Sequence, residues 1–109
     1  MVKSISLLKR KPGMSDKEFY SHYLEKHGPL AASVVPGMIK YVQNHPINLP
    51  GFKNEFDAVT EIWWESVESF EKFMAWRKTD EAKVLLEDED RVFDMTKIVR
   101  YVVEEHFIK

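Results

Sequence analysis

Apolar residues recur along this chain with two different periods, and the switches between them mark out the elements. Val2 to Lys9 mixes Val, Ile and Leu with serine, as a strand does, and Pro12-Gly13 breaks it. Ser15-Asp16-Lys17-Glu18 is a capping box: the Ser15 hydroxyl accepts from an early helical N–H and Glu18 reaches back. The helix it starts carries Phe19, Tyr20, Tyr23, Leu24 and His27 at three- and four-residue spacing. Gly28-Pro29 ends or kinks that helix, and Leu30-Ala31-Ala32 extends it by a further turn.

Pro36-Gly37 opens a second strand, Met38 to Asn44, in which Ile39, Tyr41 and Val42 suit a pleated surface. His45 to Phe56 holds two prolines, a glycine and two asparagines, and reads as a loop that is long for so short a chain. Asp57 to Glu65 is a third strand, with Val59 and Trp63 on one face and Ala58, Ile62 and Trp64 on the other. A sheet with one wet face alternates cleanly. A tryptophan on each side predicts that both faces are covered.

Ser66 caps a second helix whose inward stripe is Val67, Phe70, Phe73, Met74 and the stem of Arg77. An acidic helical stretch follows, with Ala82, Leu85 and Leu86 turned inward and Asp88 to Asp90 outward. The last strand, Lys97 to His106, puts Val99, Tyr101 and Val103 on one side and Ile98 and Val102 on the other. The order βαββαβ predicts an α+β, ferredoxin-like domain with a four-stranded antiparallel sheet. Two helices cover only one face of such a sheet, so the other calls for a second copy of the chain.

Composition narrows this frame without changing it. The 109 residues amount to one domain, residues 1 to 109, whose modest core gains from dimer formation. A net charge of −2, with both signs interspersed, argues against nucleic acid as a partner. The absence of cysteine removes disulfides, thiolate metal sites and thiol nucleophiles, and suits the cytoplasm. No apolar run has signal-peptide length, since Lys9, Arg10 and Lys11 interrupt the first one, and none has membrane-spanning length.

Four histidines are candidates for chemistry. His22 shares a helical face with Ser15, Glu18 and Lys26 and reads as solvated; His45 opens the long loop and suits a rim; His106 follows two glutamates at a solvated strand end. His27 differs, because Phe19, Tyr23 and His27 lie four apart and its imidazole projects from the apolar face. It is either a structural histidine bonded to a carbonyl or a general acid–base at a pocket mouth. Tyr23 and Tyr41 are oxyanion donors or amphipathic core residues, and Asp57 is an imidazole-orienting carboxylate or a strand-start turn residue. Trp63, Trp64 and Phe70, with Phe73 and Trp76, form an aromatic cluster that is core or the wall of a pocket for a flat apolar ligand. No phosphate loop, nucleophile elbow or zinc-protease helix occurs, so no metal or cofactor is expected.

Taken in order, these residues resemble the EthD family. Phe19, Tyr23 and His27-Gly28-Pro29-Leu30 resemble its F-x-x-x-W-x-x-x-H-G-P-L signature, with tyrosine in place of the tryptophan. Pro36-Gly37 with Tyr41, the strand Asp57-Ala58-Val59-Thr60-Glu61-Ile62-Trp63-Trp64, Asp88-Glu89 with Phe93-Asp94, and Glu104-Glu105 continue the likeness. The resemblance implies a homodimer closed into an α/β barrel. Relatives include methylmuconolactone methylisomerases and fungal polyketide-tailoring dehydratases or decarboxylases, and in the methylisomerases a helix histidine and a strand tyrosine, matching His27 and Tyr41 by motif, lie in the active site.

The expectation is therefore a cofactor-free lyase or isomerase for a small cyclic or aromatic compound. His27 would move the proton, Tyr41 would stabilise the oxyanion, and Asp57 or Tyr23 would orient. The alternatives are a non-catalytic ligand-binding accessory of a P450-type oxygenase system and a haem-binding barrel.

Overall fold

A computed structural model describes all 109 residues. Strand β1 (Val2–Leu8) leads to helix α1 (Asp16–His22), which starts at the Ser15 and Glu18 capping box read from the sequence. A π-helical turn, Tyr23–His27, joins α1 to α2 (Gly28–Val34). Strands β2 (Met38–Asn44) and β3 (Ala58–Trp64) follow, separated by the irregular segment that the prolines of 45–56 enforce. Helices α3 (Val67–Trp76) and α4 (Lys83–Val92) precede β4 (Val99–Val103). The sheet order is β2-β3-β1-β4 and every pairing is antiparallel, which is the ferredoxin-like α+β arrangement.

Gly28-Pro29 does not stop the helix; it shifts its register. Pro29 has no N–H for the carbonyl of Glu25, and the Gly28 N–H bonds instead to the Tyr23 carbonyl five residues back. The Gln43 side-chain amide donates to that same carbonyl at 2.8 Å. A Cβ on Gly28 would lie 2.7 Å from that amide nitrogen, so the glycine leaves room for the Gln43 side chain to reach the carbonyl.

The register sorts the sheet into two faces. Ser4, Ser6 and Leu8 of β1 lie on the helix side with Ala58, Thr60 and Trp64 of β3. Phe19, Tyr23, Ala58, Trp64 and Val92 are fully buried there, in two adjoining clusters. The opposite face carries Ile5, Leu7, Val59, Trp63 and Val99, all only half-buried, with Tyr101 56% exposed. No helix covers this apolar face.

Helix α4 departs from the expected outward placement of its acidic residues. Asp88 and Glu89 are 6% and 7% exposed, because Leu85, Asp88, Glu89 and Val92 together make up the buried stripe of α4. Only Asp90 of the expected trio faces solvent. The last strand is also shorter than its apolar run, since Met95–Lys97 forms a 3₁₀ turn.

Candidate active site

The π turn delivers His27 to the helix side of the sheet, where its ring is 6% exposed. It lines a narrow cavity between the helices and the sheet, with about 50 Å³ of free space. Phe93, Leu85 and Ile62 make apolar walls, and Tyr41, Ser4, Ser6 and Arg100 contribute polar atoms. Phe93 meets the imidazole edge-on at 5.1 Å between centroids.

Asp88 fixes the imidazole. Its Oδ2 lies 2.8 Å from Nδ1 of His27, and its Oδ1 lies 2.7 Å from Nε2 of His22. Burial alone would raise the Asp88 pKa, but the hydrogen bonds from His22 and His27 outweigh it and hold the carboxyl below its usual range. An ionised Asp88 makes Nδ1 the protonated nitrogen of His27 and leaves Nε2, which has no protein partner, for the cavity. His22 is therefore engaged through the carboxylate and is not the free surface residue its helical face suggested.

Tyr41 lines the cavity from β2, and its hydroxyl accepts from the Gln43 amide at 3.2 Å. Burial raises its pKa, so it remains a phenol at neutral pH. Tyr41 and Gln43 also border an outer groove with Leu24, Pro29 and His45. His45 stacks on Tyr20 and Tyr23 and bonds to Gln43 at 2.8 Å, and burial lowers its pKa.

The other expected site residues lie elsewhere. Asp57 does not orient His27: its carboxylate accepts from the backbone N–H of Arg10 at 2.9 Å and its carbonyl from the Tyr20 hydroxyl. It ties the start of β3 to the end of β1, and the orienting role falls to Asp88. Tyr23 is fully buried behind the cavity wall, its hydroxyl bonded to Thr60, and burial raises its pKa. Trp64 is equally buried, donating to Ser4 at 2.9 Å and packed on Phe70 and Phe73. Of that aromatic group only Phe73 reaches the cavity, while Trp63 points to the uncovered face, near Lys3 and Lys40.

Three charged residues escaped the sequence reading as parts of the site: Glu89 and Arg100, which line the cavity, and Asp88, which holds His27. The signal for the first two was present, because Leu85 and Val92 lie seven apart with 88 and 89 between them on the same stripe. Arg100 alternates with Val99 and Tyr101 and so belongs to the helix side of β4.

A buried His–Asp pair and a tyrosine hydroxyl thus meet at an apolar cavity of a small ferredoxin-like domain. The EthD domain model matches residues 11–96, and the chain belongs to the EthD family. An EthD family protein from Bacillus halodurans C-125 is 25% identical, with a TM-score of 0.72 over 97% of this chain and 99% of its own. An EthD-like protein from Ralstonia eutropha JMP134 is 18% identical, with a TM-score of 0.72 over 99% of this chain and 94% of its own. A dimeric ferredoxin-like protein of unknown function from Bacteroides fragilis is 13% identical, with a TM-score of 0.64 over 95% of each chain. No curated protein matches the sequence.

Proposed function

We propose that this chain is a cofactor-free lyase or isomerase that moves a proton on a small cyclic or aromatic compound. The observation that carries the reading is His27, held at Nδ1 by a buried carboxylate and turned toward an apolar cavity that also presents a phenol. His27 Nε2 takes a proton from a carbon next to a carbonyl, and Asp88 stabilises the imidazolium that forms. The Tyr41 O–H donates to the enolate oxygen as its charge develops. Return of the proton at another carbon gives an isomer; departure of a β-substituent as the enolate collapses, with the proton going to that group, gives elimination.

The uncovered sheet face supports a homodimer, as does the description of the Bacteroides fragilis neighbour as dimeric. Proton transfer is tested in D₂O by following deuterium uptake into a panel of cyclic enones and lactones by NMR. His27→Ala should slow exchange of any responsive compound by about 10²-fold or more. An unchanged rate would remove His27 from the chemistry.

A further inference from the structure

His27 Nε2 aside, the polar groups of the cavity are unbalanced in both charge and hydrogen-bond sense. Both Glu89 carboxylate oxygens are occupied by Arg77, at 2.8 Å each. Arg100 stands beside this neutral pair with no carboxylate of its own. Its Nε donates to Ser6 Oγ at 3.1 Å, and its Nη1 reaches only the thioether of Met74, at 3.6 Å. Arginine has five N–H donors, and the remaining ones meet no acceptor in the protein. No fully buried side-chain nitrogen or oxygen is left without a partner, so the unpartnered Nη2 keeps access to solvent, and Arg100 is one of the residues that line the cavity.

The hydroxyls share the bias. Ser6 accepts from Arg100, Ser4 accepts from Trp64, and Tyr41 accepts from Gln43. Each hydroxyl thus has one of its two lone pairs engaged while its own O–H meets no acceptor in the protein, and all three line the cavity. Ten of the sixteen lining residues are hydrophobic, so these donors converge on a largely apolar space. Burial, and then the neighbouring Arg77, pull the Arg100 pKa below its ordinary value, as expected for a cation held without its anion.

We propose that the cavity binds a small carboxylic acid as its anion, with the carboxylate received by Arg100 and Ser6. A planar guanidinium matches a carboxylate in charge and fork geometry. Free space of about 50 Å³ corresponds to roughly three or four water positions, so a compact acid is admitted and a long one is not. This deepens the proton-transfer reading by naming the substrate class; binding of the acid does not itself depend on that reading.

Calorimetric titration of the whole protein with acetate and propionate, against acetamide and propionamide at fixed ionic strength, tests it. The acids should bind about tenfold or more tightly than the amides, and Arg100→Met should abolish the difference. Ser6→Ala should weaken the acids and leave the amides unchanged, which serves if Arg100→Met does not fold. His27→Ala should still discriminate acid from amide, so a failure of the catalytic reading is separable from a failure of this one. Equal binding of acid and amide by the unmodified protein, no binding of either at millimolar concentration, or discrimination that survives in folded Arg100→Met would each overturn the proposal.

Discussion

Asp88→Asn probes the centre of the site, because it keeps the shape of the side chain and removes only the charge. The Asp88 carboxylate is 8% exposed and accepts from two imidazoles, at 2.7 and 2.8 Å. A hydrogen bond involving a charged group contributes about 1.5–3 kcal/mol. The amide oxygen of asparagine replaces one of these bonds in weaker form, while its NH₂ confronts the other imidazole and forces that ring into the opposite tautomer. The expected loss is about 2–3 kcal/mol at pH 7. Its pH dependence has a definite sign. The folded pKa of Asp88 is lowered, so its contribution is present above the unfolded value of about 3.9 and is lost as pH falls through the folded value. Urea unfolding of both proteins, at one protein concentration, should show a full difference from pH 7 down to about pH 5, shrinking progressively below that as pH falls toward the lowered folded value. A difference that stays constant down to pH 3.5, or one below about 0.5 kcal/mol at pH 7, would refute the assignment of Asp88 as an ionised anchor. The same variant should reduce any His27-dependent proton exchange, because the tautomer with Nε2 free is no longer enforced.

Arg77→Met should destabilise the fold by about 3–5 kcal/mol, since it leaves the 10%-exposed Glu89 carboxylate unpaired. Adding Glu89→Leu should recover most of the loss in denaturant titrations, and a non-recovering double variant would show that the pair is not the cause. Tyr23→Phe should cost about 1–2 kcal/mol by the same measurement, through the lone Thr60 hydroxyl it leaves in a buried position. Trp63→Glu places a charge on the uncovered sheet face and tests the proposed homodimer: sedimentation should shift toward a monomer while circular dichroism stays unchanged, and an unaltered dimer would place the interface elsewhere.

Much of the architecture is written in local patterns. Ser15 and Glu18 set the start of α1 because capping satisfies backbone donors within one turn. Two tryptophans on alternate faces of β3 announced a sheet apolar on both sides, and the fold leaves Trp63 on the uncovered one. Position on a helical stripe likewise marked His27 as inward. These inferences hold because caps, periods and turns depend on neighbours a few residues away.

The partners of His27 are not local. Asp88 is 61 positions away in sequence, and it meets the imidazole only because α4 packs against the π turn. Asp57 and Asp88 are chemically alike as letters, yet one ties two strand ends together and the other orients the imidazole. Arg100 could not be read as unpaired until Arg77 was seen to occupy both oxygens of Glu89. By itself the sequence determined the elements, their order and the inward face that holds His27. Only the tertiary structure decided which charges are neutralised and which are left facing the cavity, because burial and pairing are properties of residues brought together from distant parts of the chain.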